Sequence, residues 1–200
     1  MIRIGVIGEN ENDTKAVSGL LKRNFPNQFY FHRLLPNING SNLDDKNDNH
    51  LVRKLRTEFE LEELDYVLYI RDLDTLIEDR IQVGFRKKRF RRFSKVVNRK
   101  AIFMLNIVEM EALICADFDT FRTFKNQTSL SFEKTIAYEI PNPSEALEKT
   151  LFYQKSELPT IIPLLNLETL KSNHKYFKAF LAEFLKMVEG KSYKDAPYYV

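Results

Sequence analysis

The sequence IRIGVIGENEND at residues 2–13 is the clearest indication of the fold class. It begins as a short apolar run, reaches a carboxylate at Glu9 and continues with residues suited to opening a helix. This order is typical of α/β proteins whose functional groups lie at the carboxyl edge of a sheet. The same order recurs at residues 66–74 (YVLYIRDLD) and at residues 101–111 (AIFMLNIVEME). We therefore expect an α/β fold with a mostly parallel sheet flanked by helices.

The remaining pattern predicts how the chain is organised. An α/β core is predicted over residues 1–135, and a helical C-terminal extension over residues 136–200 is predicted to pack on it as part of one compact unit. Residues 36–49 are rich in turn formers and predict a long loop. Thr75 begins a capping-box pattern, so a helix is predicted to start there.

Composition narrows the class of protein. The 200 residues are 44% hydrophobic and 30% charged, as in ordinary soluble proteins. No apolar run reaches the roughly 18 residues of a membrane helix and no signal-peptide pattern is present, so we expect a cytoplasmic protein with no membrane contact. The single cysteine, Cys115, excludes an internal disulfide and a multi-cysteine metal site. No P-loop run occurs, which excludes ATP hydrolysis of that type.

The charge is unevenly distributed along the chain. Net charge is +3, but residues 80–100 contain ten basic residues and no acidic one, which leaves −7 for the rest. A basic segment on an acidic body indicates a polyanionic partner. The candidate nucleic-acid-binding residues are Arg86, Lys87, Lys88, Arg89, Arg91, Arg92 and Lys95. A solvated helix face whose phenylalanines belong to the core is the alternative, and we weigh the two about equally.

The three acidic strand ends predict a metal site. Asp72 and Asp74 lie two residues apart at a strand end, so their side chains are expected to converge on one ion with Glu9. Magnesium prefers such oxygen ligands, and manganese is the alternative ion. Glu9 is also a candidate general acid or base. One of Glu109 or Glu111 is expected at the same edge, with Glu111 our candidate catalytic residue.

A simpler interpretation of these acids is structural. Acidic residues after a strand are common helix caps, and Asp13 or Thr14 is a candidate cap of the first helix. An isolated D-x-D pattern is weak evidence by itself. Acids at three strand ends favour the metal site, because caps alone do not require an acid at each end.

Several of these motifs resemble those of TOPRIM domains. Residues 9–13 (ENEND) look like their E-G-x-[S/T]-[D/E] turn, with Asn10 in place of glycine, and residues 72–74 look like their D-x-D motif. Residues 108–117 (VEMEALICAD) are similar to the E-A-W-L-L-A-D signature of a small bacterial TOPRIM-like family known as a domain of unknown function, with Leu113 in place of tryptophan. Residues 142–149 also resemble that family's N-P-x-x-A-L-x-K helix.

The resemblance implies a function and partners. It implies that Glu9 and the D-x-D pair bind magnesium, and kinship with nucleases of the overcoming-lysogenization-defect type. Those nucleases often work beside an ABC-type ATPase in anti-phage defence. A magnesium-dependent nuclease acting on DNA or RNA, transfer RNA included, is the first hypothesis. A non-catalytic adaptor or nucleic-acid-binding module with a vestigial site is the second. The sequence leaves open whether the chain is a monomer or a homodimer.

Overall fold

The fold is built on a four-stranded parallel sheet. The structure is a computed structural model that describes residues 1–44, 49–127, 129 and 136–189. The strands are β1 (Ile2–Ile7), β2 (Phe29–Arg33), β3 (Tyr66–Asp72) and β4 (Ala101–Asn106), in the order β2-β1-β3-β4. Every neighbouring pair is parallel. The predicted α/β class is confirmed, and all four strands present their carboxyl ends at one edge.

Ten α-helices occupy the described residues. They are α1 (Glu11–Asn24), α2 (Gly40–Asp44), α3 (Asn49–Leu61), α4 (Arg80–Val96), α5 (Ala112–Ala116), α6 (Phe118–Phe124), α7 (Pro143–Leu151), α8 (Leu158–Ile161), α9 (Leu167–Asn173) and α10 (Lys175–Val188). Short 3₁₀ turns lie between some of them, at Ala137–Glu139, Lys155–Glu157 and Ile162–Leu164.

The sheet buries both of its faces, and alternation along β3 divides the core in two. Leu68 and Ile70 point into one apolar cluster, which also contains side chains of α1, α5 and α10. Val67 and Tyr69 point into a second cluster with side chains of α3 and α4. Because successive strand residues face opposite sides, each residue at the end of β3 is assigned to one of these two layers. We call them the α1 side and the α4 side.

The C-terminal helices complete the α1 side. Helix α10 contacts β4, while α8 and the turn at Ile162–Leu164 contact α1. Phe184 of α10 packs edge-on against Phe29 of β2, with ring centroids 5.1 Å apart. Helix α10 of the C-terminal part therefore packs on the sheet. The predicted boundary at residue 135 lies outside the described residues.

Two local predictions were wrong. Residues 36–49 are not wholly a loop, because α2 forms within them; residues 45–48 lie outside the described part. No helix starts at Thr75. Its carbonyl instead accepts a hydrogen bond from the backbone N–H of Val108 (3.1 Å), which ties it to the segment after β4. Helix α4 begins at Arg80, where the side chain of Asp79 caps it by accepting from the N–H of Gln82.

None of the helices in the described residues has the length and apolar character needed to cross a membrane.

The start of α10 provides a test of the fold that depends on pH. His174 is 2% exposed, and its Nδ1 accepts a hydrogen bond from the backbone N–H of Phe177 (3.1 Å), which requires an unprotonated nitrogen. Burial lowers the pKa of His174 from 6.5 to about 4. Between these values the unfolded chain binds more protons than the folded protein, so acid destabilises the fold.

We expect His174→Asn, which retains a capping side chain, to remove this acid sensitivity. As pH falls from 7 to 5, the wild type should lose about 2 kcal/mol of unfolding free energy relative to the variant. Urea denaturation at both pH values measures the difference. His50→Asn, at an exposed position, is the control and should follow the wild type. Equal pH dependence of wild type and His174→Asn would contradict this account.

Candidate functional site

The carboxyl edge of the sheet brings Glu9 and Asp72 together. Glu9 follows β1, Asp72 ends β3, and a Glu9 carboxylate oxygen accepts a hydrogen bond from the backbone N–H of Asp72 (3.1 Å). The register pairs Asp72 with Asn106 at the end of β4. The side-chain amide of Asn106 donates to Asp72 Oδ1 at 2.8 Å. Residues 63 positions apart along the chain therefore meet at one point, as a shared site requires.

The last two residues of β3 point to opposite layers. Arg71 lies on the α4 side, where its guanidinium meets Glu9 and Asp44. Asp72 lies on the α1 side, where Asp13 and Glu111 act on its carboxyl group. The alternation of a strand is the direct cause. The edge is therefore divided into a group of carboxyls and a network of ion pairs, with Glu9 adjoining both.

The group on the α1 side combines two buried acids, Asp13 and Glu111, with the half-buried Asp72. Burial raises the pKa of Asp72 well above its ordinary value, and Asp13, Glu9 and Glu111 raise it further. Burial, with added repulsion from Glu9, raises the pKa of Asp13 to about 7. Burial also raises the pKa of Glu9 and of Glu111. Such shifts mean that negative charge is poorly compensated there, a condition that a cation would relieve.

Glu109 and Glu111 occupy different environments. Glu111 is 3% exposed, and its Oε1 accepts a hydrogen bond from the hydroxyl of Tyr153 (3.0 Å). Glu109 is more exposed and lies 3.4 Å from the ammonium of Lys155. Glu111 acts electrostatically on both Asp13 and Asp72, so it is the member of this pair that belongs to the buried acidic group.

The α4 side holds a continuous ion-pair network. Arg71 Nη1 lies 2.8 Å from Glu9 Oε1, and Arg71 Nη2 donates to Asp44 at 3.0 Å. Arg86 Nη1 donates to the same Asp44 carboxylate at 2.5 Å, and Arg86 Nη2 donates to Asp74 at 2.6 Å. Both arginine side chains are almost fully buried, at 1% and 6% exposure. Removing one partner of such a pair leaves a buried charge and typically costs about 3–5 kcal/mol.

A glycine allows this network to close. Gly40 opens α2, and a Cβ added there would lie 2.6 Å from Glu9 Oε2 and 3.1 Å from Arg71 Nη1. Both neighbours are ends of long side chains, but they are held by ion pairs. A side chain at position 40 would therefore disturb the contact between Glu9 and Arg71.

Asp74 does not share an environment with Asp72 in this structure. Its backbone takes a left-handed conformation (φ 62°), and its N–H donates to the carbonyl of Val108 (2.9 Å). This turn directs the Asp74 carboxylate to Arg86. The expected convergence of the D-x-D pair on one ion is therefore not the arrangement observed here.

The donor chemistry of the edge suits a hard divalent cation. Among the described residues, no group of three or more His, Cys, Asp or Glu side chains is arranged as a complete metal site. Magnesium, however, commonly binds proteins through one or two carboxylates and retains several waters. The Glu9 carboxylate accepts the backbone N–H of Asp72, so these two residues place two carboxyl groups at the same edge, and the poorly compensated acids around Asp72 favour a cation there. The residues present therefore fit such an ion.

The basic segment has an inner and an outer face. Arg86 and Arg89 are buried, each 5% exposed, and Arg89 Nε donates to the carbonyl of Leu43 (2.9 Å). The guanidinium of Arg92 donates to Asn49. The other candidates divide into the half-buried Lys87 and the exposed Lys88, Arg91 and Lys95. Only part of the predicted set is therefore presented to a polyanion at the surface.

Sequence reasoning did not identify Asp13 as part of the acidic group. The sequence indicated Asp13 as a candidate cap and as the last residue of the segment that resembles the E-G-x-[S/T]-[D/E] turn. The cap of α1 is instead Asn10, whose side chain accepts from the N–H of Asp13 (3.0 Å). Asn10 itself is extended, with φ −147°, so this position does not require glycine. The available signal was the position of Asp13 four residues after Glu9, one helical turn into α1.

Measurements of the free energy of unfolding test whether the negative charge of Asp72 is poorly compensated in the folded protein. The folded-state pKa of Asp72 lies above its unfolded value, so its unfavourable effect is absent at low pH and grows as pH rises through the folded-state pKa. We expect Asp72→Asn to stabilise the protein in a chelator, by about 1–3 kcal/mol at alkaline pH. Urea denaturation between pH 5 and pH 9 measures the difference between variant and wild type.

The control for this measurement is Asp119→Asn. Asp119 is an exposed residue of α6 that pairs with Arg122, so its replacement removes the same charge without relieving burial. If the wild type is at least as stable as Asp72→Asn across the whole pH range, the Asp72 carboxylate does not destabilise the folded protein.

Comparison with known proteins finds no family model, no curated protein and no solved structure that matches this chain. The functional interpretation therefore depends on the geometry of the site, and the TOPRIM resemblance stays a prediction.

Proposed function

We propose that this protein is a metal-dependent phosphodiesterase that hydrolyses DNA or RNA, with magnesium or manganese as its ion. The observation that supports this proposal is the meeting of Glu9 and Asp72 at the carboxyl edge, beside buried acids whose charge is poorly compensated. In parallel α/β sheets this edge is where ligands bind.

Each acidic residue has a role in the proposal. Glu9 and Asp72 would hold the ion, whereas Asp74 is paired with Arg86 and would be available to the ion only without that pair. The bound ion would neutralise phosphate charge and activate a water. Glu111 accepts a hydrogen bond from the Tyr153 hydroxyl and would orient the other acidic side chains from the buried side of the group.

Glu9 is the proposed proton carrier. In hydrolysis the oxygen of a water molecule bonds to phosphorus, the ester P–O bond breaks, and the leaving oxygen acquires a proton. A general acid or base works best when its pKa lies near the operating pH. Without a bound ion, burial raises the pKa of Glu9 from the ordinary value, which is the direction that this role requires.

The exposed part of helix α4 is the proposed binding surface for the phosphate backbone of the substrate. Lys88, Arg91 and Lys95 are exposed on the same helix that presents Arg86 to the acidic edge. Binding through phosphate contacts weakens steeply as salt rises. The proposed control by an ABC-type ATPase partner in anti-phage defence depends on the sequence resemblance alone, which is an associational argument.

The second candidate is a non-catalytic adaptor that binds nucleic acid or a partner protein. One observation favours it: Glu9 and Asp74 are both held by arginines, and the described residues contain no complete metal site. An adaptor would use the exposed basic residues of α4 and would not require the buried acids for binding.

Two measurements on the same variants separate these candidates. The first is cleavage of plasmid, single-stranded DNA and transfer RNA with magnesium or manganese. It should be lost in Glu9→Gln and Asp72→Asn if the protein is an enzyme. The second is thermal unfolding with 10 mM magnesium, which should raise the wild-type Tm by about 3–6 °C for a Kd near 1 mM, and leave Asp72→Asn unchanged.

Controls at exposed positions match the two substitutions in charge and chemistry. Glu168→Gln and Asp119→Asn remove carboxylates that pair with Lys171 and Arg122 on the surface. Both should retain cleavage and the magnesium response. Cleavage that survives both site substitutions would falsify the assignment of the site, and an absent magnesium shift together with absent cleavage would favour the adaptor.

A further inference from the structure

We propose that Arg71 and Arg86 form a binding site for a backbone phosphodiester of nucleic acid, and that the Asp44 carboxylate occupies this site here as an internal substitute. The inference depends on the proposed function for its substrate class. It assigns to two buried arginines a role distinct from that of the exposed basic residues of α4.

The first argument is the convergence of two guanidinium groups on one anion. Arg71 Nη2 and Arg86 Nη1 both donate to the Asp44 carboxylate, at 3.0 and 2.5 Å. Arg86 Nη1 also reaches the second carboxylate oxygen at 2.5 Å. Planar guanidinium forks bind carboxylate and phosphate in the same manner. A site that holds the Asp44 carboxylate in this way has the donors required for a phosphate.

The second argument is that some N–H donors of the two arginines lack acceptors. Arg71 Nε, Arg71 Nη1 and Arg86 Nε are buried and lack a hydrogen-bond acceptor among the described residues. Arg71 Nη1 is close to Glu9, but the contact is an ion pair without hydrogen-bond geometry. Buried donors without acceptors are costly. A phosphate, with more acceptor oxygens than a carboxylate, could satisfy donors that Asp44 leaves unpaired.

The third argument is charge. The network contains two cations, Arg71 and Arg86, and three carboxylates, Glu9, Asp44 and Asp74. A phosphodiester carries one negative charge, as Asp44 does, so exchanging one for the other leaves the charge in direct contact with the two arginines unchanged. A terminal phosphate monoester would carry nearly two charges and add repulsion from Glu9 and Asp74. The network therefore favours an internal phosphodiester.

The fourth argument is access. The Asp44 side chain is 30% exposed and that of Asp74 is 58% exposed, so the anionic side of the network faces solvent although both arginines are buried. The preceding residue is fixed: Leu43 is fully buried, and its carbonyl accepts from Arg89. Rotation of the Asp44 side chain alone could therefore vacate the site while α2 stays in place.

The test is binding in a chelator, where no cleavage is expected. Asp44→Asn removes the competing charge, and we expect it to bind 12-nucleotide DNA and RNA about tenfold more tightly than wild type, by fluorescence anisotropy at fixed salt. In the double variant Asp44→Asn with Arg86→Gln, this gain in affinity should disappear. An oligonucleotide with an uncharged methylphosphonate backbone should show no gain, while comparison of DNA with RNA identifies the preferred source of the phosphodiester.

Asp119→Asn is the matched control, because it makes the same charge change at a surface pair on α6. The affinity of Asp119→Asn for the oligonucleotides should stay within about twofold of the wild-type value, since salt screens a single exposed charge. An equal gain in Asp44→Asn and Asp119→Asn, or no gain in either, overturns the proposal. If Asp44→Asn and Asp44→Ser both fail to fold, Asp44 is a permanent counter-ion and the proposal is equally overturned.

This test and that of the proposed function fail independently. Binding in a chelator requires neither a metal nor hydrolysis, so a tenfold gain without any nuclease activity would retain the phosphodiester site in an adaptor. Cleavage that depends on Glu9 and Asp72, without a gain in Asp44→Asn, would retain the enzyme and remove this site.

Discussion

The arrangement of charge in this protein depends on the burial of Arg71 at the end of β3. Its guanidinium is 1% exposed and must be neutralised where it lies, by Glu9 and Asp44. The next residue, Asp72, necessarily points to the other layer, because strand residues alternate. One step along the chain thus places a cation in one half of the molecule and an anion in the other. Neither can neutralise the other across the sheet.

The two sides of the edge consequently differ in what they lack. On the α4 side every carboxylate of the network has an arginine partner. The buried polar groups that lack a partner among the described residues there are guanidinium N–H donors and the Tyr69 hydroxyl. On the α1 side Glu111 raises the pKa of Asp13, and both of these acids raise the pKa of Asp72. What this side lacks is therefore compensation of negative charge. One side is thus suited to an anion and the other to a cation, which are the two components of a metal-bound phosphodiester.

The sequence allowed the sheet and its edge to be predicted because those features follow from local patterns. The apolar run at residues 66–70 and the acids after it are sufficient to predict a buried parallel strand with acidic residues at its carboxyl end. The pairing of Arg86 with Asp44 could not be predicted, because it joins residues 42 positions apart, one of them in a segment that reads as a loop. Arg86 accordingly looked like a surface contact for substrate. A D-x-D pattern likewise does not predict the left-handed backbone conformation at Asp74.

Glu9 couples the two sides, because it is adjacent to both. Its carboxylate lies 2.8 Å from Arg71 and accepts the N–H of Asp72. A cation drawn to the α1 side would compete with Arg71 for this carboxylate and leave the guanidinium less neutralised. A less neutralised Arg71 attracts an anion more strongly, so cation and phosphate would each favour the binding of the other. By thermodynamic linkage the two effects must be equal in size. On this argument the ion pair between Glu9 and Arg71 would hold the site in its unliganded form, and a bound cation would open it.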